Sequence, residues 1–427
     1  MAAIEITRAG GGITNVIGTS PVVVTVVGVT GRNVSLDQSQ FKTINGNSIF
    51  GTGNIVIATG LTNWTEAFNS GTQETSSFTA TNAATNVNAA LVPKGTGAIV
   101  AQIPDGTTVG GNARGSYAVD FQIIRTNANQ VASGLACFIG SGVNNRNTGD
   151  TSAVVAGNTN INTATRGFVG SGFNNNNAST DGVIGGGNVN TTSNQIYQTI
   201  GGGSSNTISA GINNGIFSGT SHTVSANNGF IGGGQSNIVS GSYGSISGGQ
   251  NGTASGQYSA VLGGLRGNAY LYGQKAHANG RFSIDGDAQG SEAILRLVDG
   301  FTDLQTKEIY LDGSSLRITG PTNSAMTVNI DIVAIVTAIS GTATGVTVGD
   351  MFSQNEICAY KNIGGTGTVV GSHSIHKLHD ASMAACDTAF ATTGAALQVF
   401  FTGPNFSGGG TVTLIIVAKA RIVETRY

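Results

Sequence analysis

The stretch Phe230-Ile231-Gly232-Gly233-Gly234-Gln235-Ser236-Asn237-Ile238-Val239-Ser240-Gly241-Ser242-Tyr243-Gly244-Ser245-Ile246 decides the fold. A bulky apolar residue leads into glycines, a second apolar residue follows eight positions later, a polar turn intervenes, and the cycle starts again at Ile246. Reading outward, the leading residue recurs at Ile139, Val155, Val169, Ile184, Ile200, Phe217, Ile231, Ile246 and Leu262, in steps of 16, 14, 15, 16, 17, 14, 15 and 16 residues. A short fixed period of this kind is the mark of stacked coils. Most coils carry the second site, at Ala164, Ala178, Ile208, Val224, Val239, Ala254 and Ala269. Two inward positions per coil, each flanked by turn formers, predict a two-sided coil of short strands. About 15 residues is too few for a broad three-sided helix, so each chain buries one thin seam. Three chains around an axis would make good that deficit. Nine coils at about 4.8 Å each predict a shaft on the order of 40–45 Å long.

Composition agrees. Gly accounts for 67 of 427 residues and charged residues for 9%, while 39% are hydrophobic and regularly placed. Glycine and β-branched residues resist helix, so the chain reads as all-β. Proline is absent between Pro104 and Pro321, as expected where backbone N–H groups enter ladders. A net charge of -2 gives no long-range pull toward nucleic acid or anionic membrane. Cys137, Cys358 and Cys386 are widely spaced and form no CxxC, which argues against a disulfide framework or a zinc site. The start, Met1 to Arg8, carries no basic-then-apolar signal, and no apolar run is long enough for a membrane helix.

On the N-terminal side, Pro21 to Val27 reads as a strand, and Asn45-Gly46 supplies the turn of a hairpin within Phe41 to Ile57. That segment, with Lys42, Asn45-Gly46 and Gly51-Thr52-Gly53-Asn54-Ile55, resembles one met in phage tail-fibre and baseplate-associated proteins. Farther on, Pro93-Lys94-Gly95-Thr96-Gly97-Ala98, Pro104-Asp105-Gly106-Thr107, Gly110-Gly111-Asn112-Ala113-Arg114-Gly115 and Ala118-Val119-Asp120 keep the order found ahead of glycine-rich repeats in phage fibres. The repeat itself is similar to phage-fibre repeats and to the β-roll heads of trimeric autotransporter adhesins. The adhesins also need a signal peptide and a membrane barrel, so the phage fibre is the better match.

From Phe282 the period stops and longer alternating strands appear, including Met326 to Val336, Leu397 to Phe401 and Thr411 to Val423. They predict an antiparallel β-sandwich. The pieces Ile309 to Ile318, Ile330 to Ala334 and Val417 to Glu424 are similar to a C-terminal domain of phage fibre-like proteins. Ile416 stands where that pattern has Trp, and Ile335-Val336 where it has an Arg pair. The expected organisation is 1–62 for virion attachment, 63–130 as shaft entry, 131–281 as about nine coils, and 282–427 as the tip. The fold class is thus all-β: a short-period parallel β-roll or β-helix shaft in a homotrimer, with a C-terminal antiparallel β-sandwich.

Chemistry is sparse. The Pro93 to Thr96 loop lacks the spacing of a phosphate loop and no helix pattern follows it. Polysaccharide cleavage needs paired carboxylates about 5–10 Å apart. No glutamate lies between Glu74 and Glu292, and the roll carries only Asp150 and Asp181, both in turn-like contexts. A pair formed across chains could use Asp285, Asp287 or Glu292. His373, His376, His379 and Asp380 hold metal-ligand residue types, yet on one strand His373 and His379 lie about 20 Å apart. A histidine repeated three times near a trimer axis could still bind a metal. The Asn174 to Asn177 run reads as side-chain ladders between coils. Tyr243, Tyr258, Tyr270 and Tyr272 read as packing aromatics before a sugar-stacking surface. No catalytic residue, cofactor or metal is assigned.

The resemblance implies a structural phage fibre in the virion, made in the host cytoplasm and not an enzyme. Its partners would be two further copies of itself, tail or baseplate proteins at the N-terminus, and a host surface glycan or protein at the C-terminus. Nucleic acid and membrane insertion are not expected. A polysaccharide-degrading tailspike and a capsid-attached fibre or decoration protein are the alternatives.

Overall fold

The computed structural model describes residues 64–69, 75–80 and 90–426. The chain divides into two compact units, Met1–Ala90 and Leu91–Tyr427. The strand expected at Pro21 to Val27 and the hairpin at Asn45-Gly46 lie outside the described residues. In the first unit, Trp64–Asn69 pairs antiparallel with Thr75–Ala80, placing Trp64 opposite Ala80.

The second unit begins as a parallel solenoid of about 11 turns. One ladder of mostly two-residue strands runs from Ile99–Val100 through Phe138–Ile139 and Phe230–Ile231 to Lys275–Asn279. The opposite ladder is a nine-stranded sheet from Arg146–Asn147 to Asn268–Ala269. Between the two, single-residue bridges make a narrow third ladder, for example Asn188 to Ser204 and Ser204 to Thr220. The coil is therefore two-sided in its strands, with a one-residue rung at the corner. That corner turns sharply. Gly187 and Val189 flank Asn188 with φ of 95° and 58°, and Gly203 and Ser205 flank Ser204 in the same way. A Cβ on Gly187 would lie 2.1 Å from the Gly203 carbonyl oxygen, so only glycine lets neighbouring coils close to ladder distance there.

Three of the expected inward residues are corrected by one position. Val154, Ile216 and Val261 are buried, whereas Val155, Phe217 and Leu262 are exposed. Two apolar neighbours sit side by side in each of these coils, and strand alternation admits only one of them to the core. With the correction the inward residues run Ile139, Val154, Val169, Ile184, Ile200, Ile216, Ile231, Ile246 and Val261, in steps of only 15 or 16 residues. The inward residue of the opposite ladder follows eight positions later in every coil, from Asn147 to Ala269. The two longer coils place their extra residue in the return turns after Thr192 and Ile208.

The opposite ladder brings a second correction. Ala164 is buried as expected and Ala178 half-buried, but the inward side chains of the strands at these sites are Asn162 and Asn177, with Asn147 and Thr192 in the same row. Eight residues from Val154 and Val169 fall on these asparagines, and their amides bond to backbone inside the coil. Asn162 Nδ2 donates to the carbonyls of Ala153 and Gly167, and Asn177 Nδ2 to that of Gly182. From Ile208 onward this wall becomes apolar, with Val224, Val239, Ala254 and Ala269 all 0% exposed. This wall thus changes from polar to apolar along the shaft.

The tip continues the first ladder without a break. Lys275–Asn279 pairs antiparallel with Ala288–Phe301, which pairs with Gly410–Arg426, then Ser324–Gly341, Met351–Ile363 and finally Thr366–His379. On one face of these strands lies a smaller sheet in which Ala396–Thr402 pairs with Asp387–Thr393, Thr306–Ile309 and Ile318–Thr319. Phe301, Phe352 and Phe401 fill the space between, with ring centroids 6.1 Å and 5.4 Å apart around Phe401. The expected sandwich is present.

Candidate functional site

Asparagine at a fixed offset builds the shaft interior. Asn145, Asn160, Asn175, Asn190, Asn206 and Asn237 each sit six residues after the inward Val or Ile and are 0% exposed. Asn190 is representative. Its Nδ2 donates to the carbonyls of Gly186 (2.9 Å) and Gly203 (3.0 Å), while its Oδ1 accepts the N–H of Asn206 (3.1 Å). Each side chain therefore satisfies backbone groups that the tight corner would otherwise orphan inside the coil. The row is bounded by Gln122 and Gly252, and between them His222 alone replaces an asparagine. Its Nδ1 accepts the N–H of Asn237 at 3.1 Å, as an asparagine oxygen would, which puts the proton on Nε2. Burial lowers the His222 pKa below its usual 6.5. Within the Asn174 to Asn177 run, Asn175 and Asn177 point inward and bond between coils, and Asn176 is exposed.

The carboxylates are engaged in structural contacts. Asp150 Oδ1 accepts the N–H of Leu135 one coil away (2.8 Å). Asp181 holds Arg166 through two bonds of 2.6 and 2.7 Å, and that pairing lowers its pKa. Asp285 meets both Arg266 and Arg281. Asp287 accepts the N–H groups of Phe282, Ser283 and Ile284; burial raises its pKa, but these bonds outweigh it and the net shift is downward. Glu292 pairs with Lys419 at 2.8 Å. Near the N-terminal end of the shaft, Asp120 takes an inward position and is matched by buried Arg114 at 2.8 Å.

The histidines do not converge. His373, His376 and His379 lie along the outermost strand of the large tip sheet, opposite Ile357, Asn355 and Phe352, and all three are exposed. His379 Nδ1 donates to the Asp380 carbonyl at 2.9 Å. Among the described residues, no three His, Cys, Asp or Glu side chains are grouped to hold a metal ion. The three thiols are buried and free, and burial pushes them up to about 11 for Cys137 and about 12 for Cys358 and Cys386. That is the profile of inert core cysteine.

Three features were missed in the sequence. One is the joint between shaft and tip, where Tyr270 donates to buried Glu424 at 2.7 Å and Arg426 lies over the Tyr270 ring. These partners are 154 residues apart in the chain, and no local pattern pairs them. A second is the polar group at the outer edge of the tip. Gln354 Nε2 donates to Glu356 (3.2 Å) and Ser374 (3.1 Å), and Thr388 donates to Gln354 (3.0 Å). Burial raises the Glu356 pKa. The third is the open face of the large tip sheet, where cross-strand neighbours Val298, Ile415, Ile335 and Met351 form one exposed apolar row. Alternation in each strand was visible; which rows align across strands was not. Tyr243 and Tyr258 stack at 4.9 Å and remain about half exposed, while Tyr272 meets Tyr258 edge-on.

No protein-family model matches the chain, and no curated protein matches it. Among solved structures, the chain is similar to the tailspike protein of Acinetobacter baumannii phage AM24, at 8% identity over 77% of this chain and 78% of that one, with a TM-score of 0.21. It is also similar to the tailspike protein of Acinetobacter phage vB_ApiP_P1, at 7% identity over 77% and 74%, with a TM-score of 0.20. A third is Pantoea stewartii WceF, described as a glycan biofilm modifying enzyme with a tailspike-like parallel β-helix fold, at 7% identity over 76% and 52%, with a TM-score of 0.18. Superpositions this loose carry no argument about function, which rests here on the residues.

Proposed function

We propose that this chain is a structural phage fibre, a homotrimer that joins the virion through its N-terminal region and contacts the host surface with its C-terminal tip. The observation that carries this reading is the unbroken hydrogen bonding of shaft into tip. The last coil strand, Lys275–Asn279, is itself the neighbour of Ala288–Phe301, and Tyr270, Glu424 and Arg426 lock the joint. A stack of coils that ends in a sandwich positions whatever the sandwich carries.

In this reading the contact region is the far end of the tip. Ala288 to Phe301 and Ser324 to Gly341 both run away from the shaft, so the segments 302–305, 342–350 and 403–409 lie at the far end. Thr342 and Thr344 bond to Gly409 and Ser407 there, and Val348 is 63% exposed. Three copies of this end, each binding weakly, would add by avidity. A non-catalytic role is supported by the carboxylates of the shaft, each held by arginine, lysine or backbone N–H groups. Imaging of intact particles with a label on the N-terminal region tests the placement. The label is expected at the virion surface, with the tip pointing outward. A label at the outer end would overturn the orientation, and a label on the capsid would make the protein a capsid fibre.

A further inference from the structure

The two outer faces of the shaft differ in a way that its interior does not require. On the nine-stranded ladder, the outward residues are mainly polar: Asn176, Thr191, Thr207, Thr223, Thr253 and Asn268, with Ile238 the main exposed apolar exception. On the other ladder, the outward face carries Val155, Phe168, Phe217, Phe230 and Leu262, which are 41%, 39%, 72%, 48% and 58% exposed. Strand parity carries this face into the tip. Outward Lys275 pairs with Glu292, and Ile294, Arg296 and Val298 follow it on the same side. Across the tip, Val298, Ile415, Ile335 and Met351 are 66%, 40%, 40% and 47% exposed in one row, with Val417 and Val333 in the next. Toward the shaft the rows turn ionic but balanced, Lys419 with Glu292 at 2.8 Å and Arg421 with Asp331 at 2.7 Å.

We infer that this continuous face is where copies of the chain pack on one another. This rests on the homotrimer reading and adds which side of the coil lies inside the assembly. Three observations select a second copy over another occupant. The face extends from the coils across the tip, so its partner must be as long. Its apolar side chains fall at whole multiples of the coil spacing of about 4.8 Å, with Thr199 and Ser245 between them, and another stack of the same coils meets them at the same spacing. Four of its charges are paired in cis, Lys419 with Glu292 and Arg421 with Asp331, which leaves Lys275 and Arg296 as the cations without an acidic partner and keeps like-charge repulsion small when the face meets its own image. Covering a phenylalanine such as Phe217 removes about 2 kcal/mol of exposed apolar surface from water, repeated along the face.

The test uses the full chain with single cysteines: Phe217→Cys and Val333→Cys on this face, and exposed Asn176→Cys on the other. The native thiols are buried, so a bifunctional maleimide reads only the new ones on the folded protein. The unmodified protein should have a solution mass three times 42.8 kDa by light scattering. Phe217→Cys and Val333→Cys should each give a two-chain band on a denaturing gel, the most that one thiol per chain allows, while Asn176→Cys stays at the single-chain position. Equal cross-linking at Asn176→Cys, or none at the other two in a protein of trimeric mass, overturns this face and leaves the trimer standing. A single-chain mass for the folded, unmodified protein overturns both.

Discussion

Shaft and tip are built on the same alternation of inward and outward residues, yet they hold together differently. Each shaft coil contributes one inward side chain from each ladder and obtains its partners from coils 15 or 16 residues away. The tip encloses Phe301, Phe352 and Phe401 between two sheets, and its last strand pairs with strands that begin at Ala288 and Ser324. The shaft is a sum of near-identical neighbours, whereas the tip is one cooperative core. Damage should therefore spread differently in the two regions.

The largest effect should come from Ile231→Asp. It would place an unpaired carboxylate in a wall that is 0% exposed, at a cost on the order of 5 kcal/mol, and the β signal in circular dichroism should collapse with loss of soluble protein. Phe401→Ala should cost about 3–5 kcal/mol, all of it in the tip. Calorimetry should show a lowered transition for the tip with the shaft transition unmoved; a common shift of both would break the distinction between the two regions. A smaller effect belongs to His222. Its pKa lies below the unfolded value of about 6.5, so its contribution is whole above that pH and declines as the pH falls, when a proton on Nδ1 would face the Asn237 N–H. His222→Asn should keep the row and move acid unfolding to lower pH; an unchanged acid midpoint would contradict this role. Smallest of all should be the deletion of one whole coil, residues 232–246, which joins Ile231 to Ser247 and brings Gly252 under His222. Melting should barely change, and the shaft should shorten by about 4.8 Å.

The same contrast explains what the sequence discloses. Coil period, parallel stacking and the terminal sandwich follow from spacing and composition, because they depend on local repetition. The phase within each coil does not follow from hydropathy where apolar residues adjoin, as at Val154-Val155, Ile216-Phe217 and Val261-Leu262. The polar row would have set it, since the asparagine or histidine stands six residues after the inward position in each of these first two cases, at Asn160 and His222. Asn162 escaped notice because an inward polar residue breaks the pattern by which inwardness is recognised, and only its carbonyl partners explain it. The joint of Tyr270 with Glu424 and the exposed rows of the tip sheet depend on registers between distant strands, which no single stretch encodes.

The central claim is that the shaft positions, the tip recognises, and neither cleaves. The most direct measurement incubates purified full-length protein with host cells and with their isolated surface polysaccharide, following bound protein and newly formed reducing ends together. The account predicts saturable binding with no reducing ends above background at any protein concentration. Reducing ends that accumulate with time and in proportion to protein would contradict it.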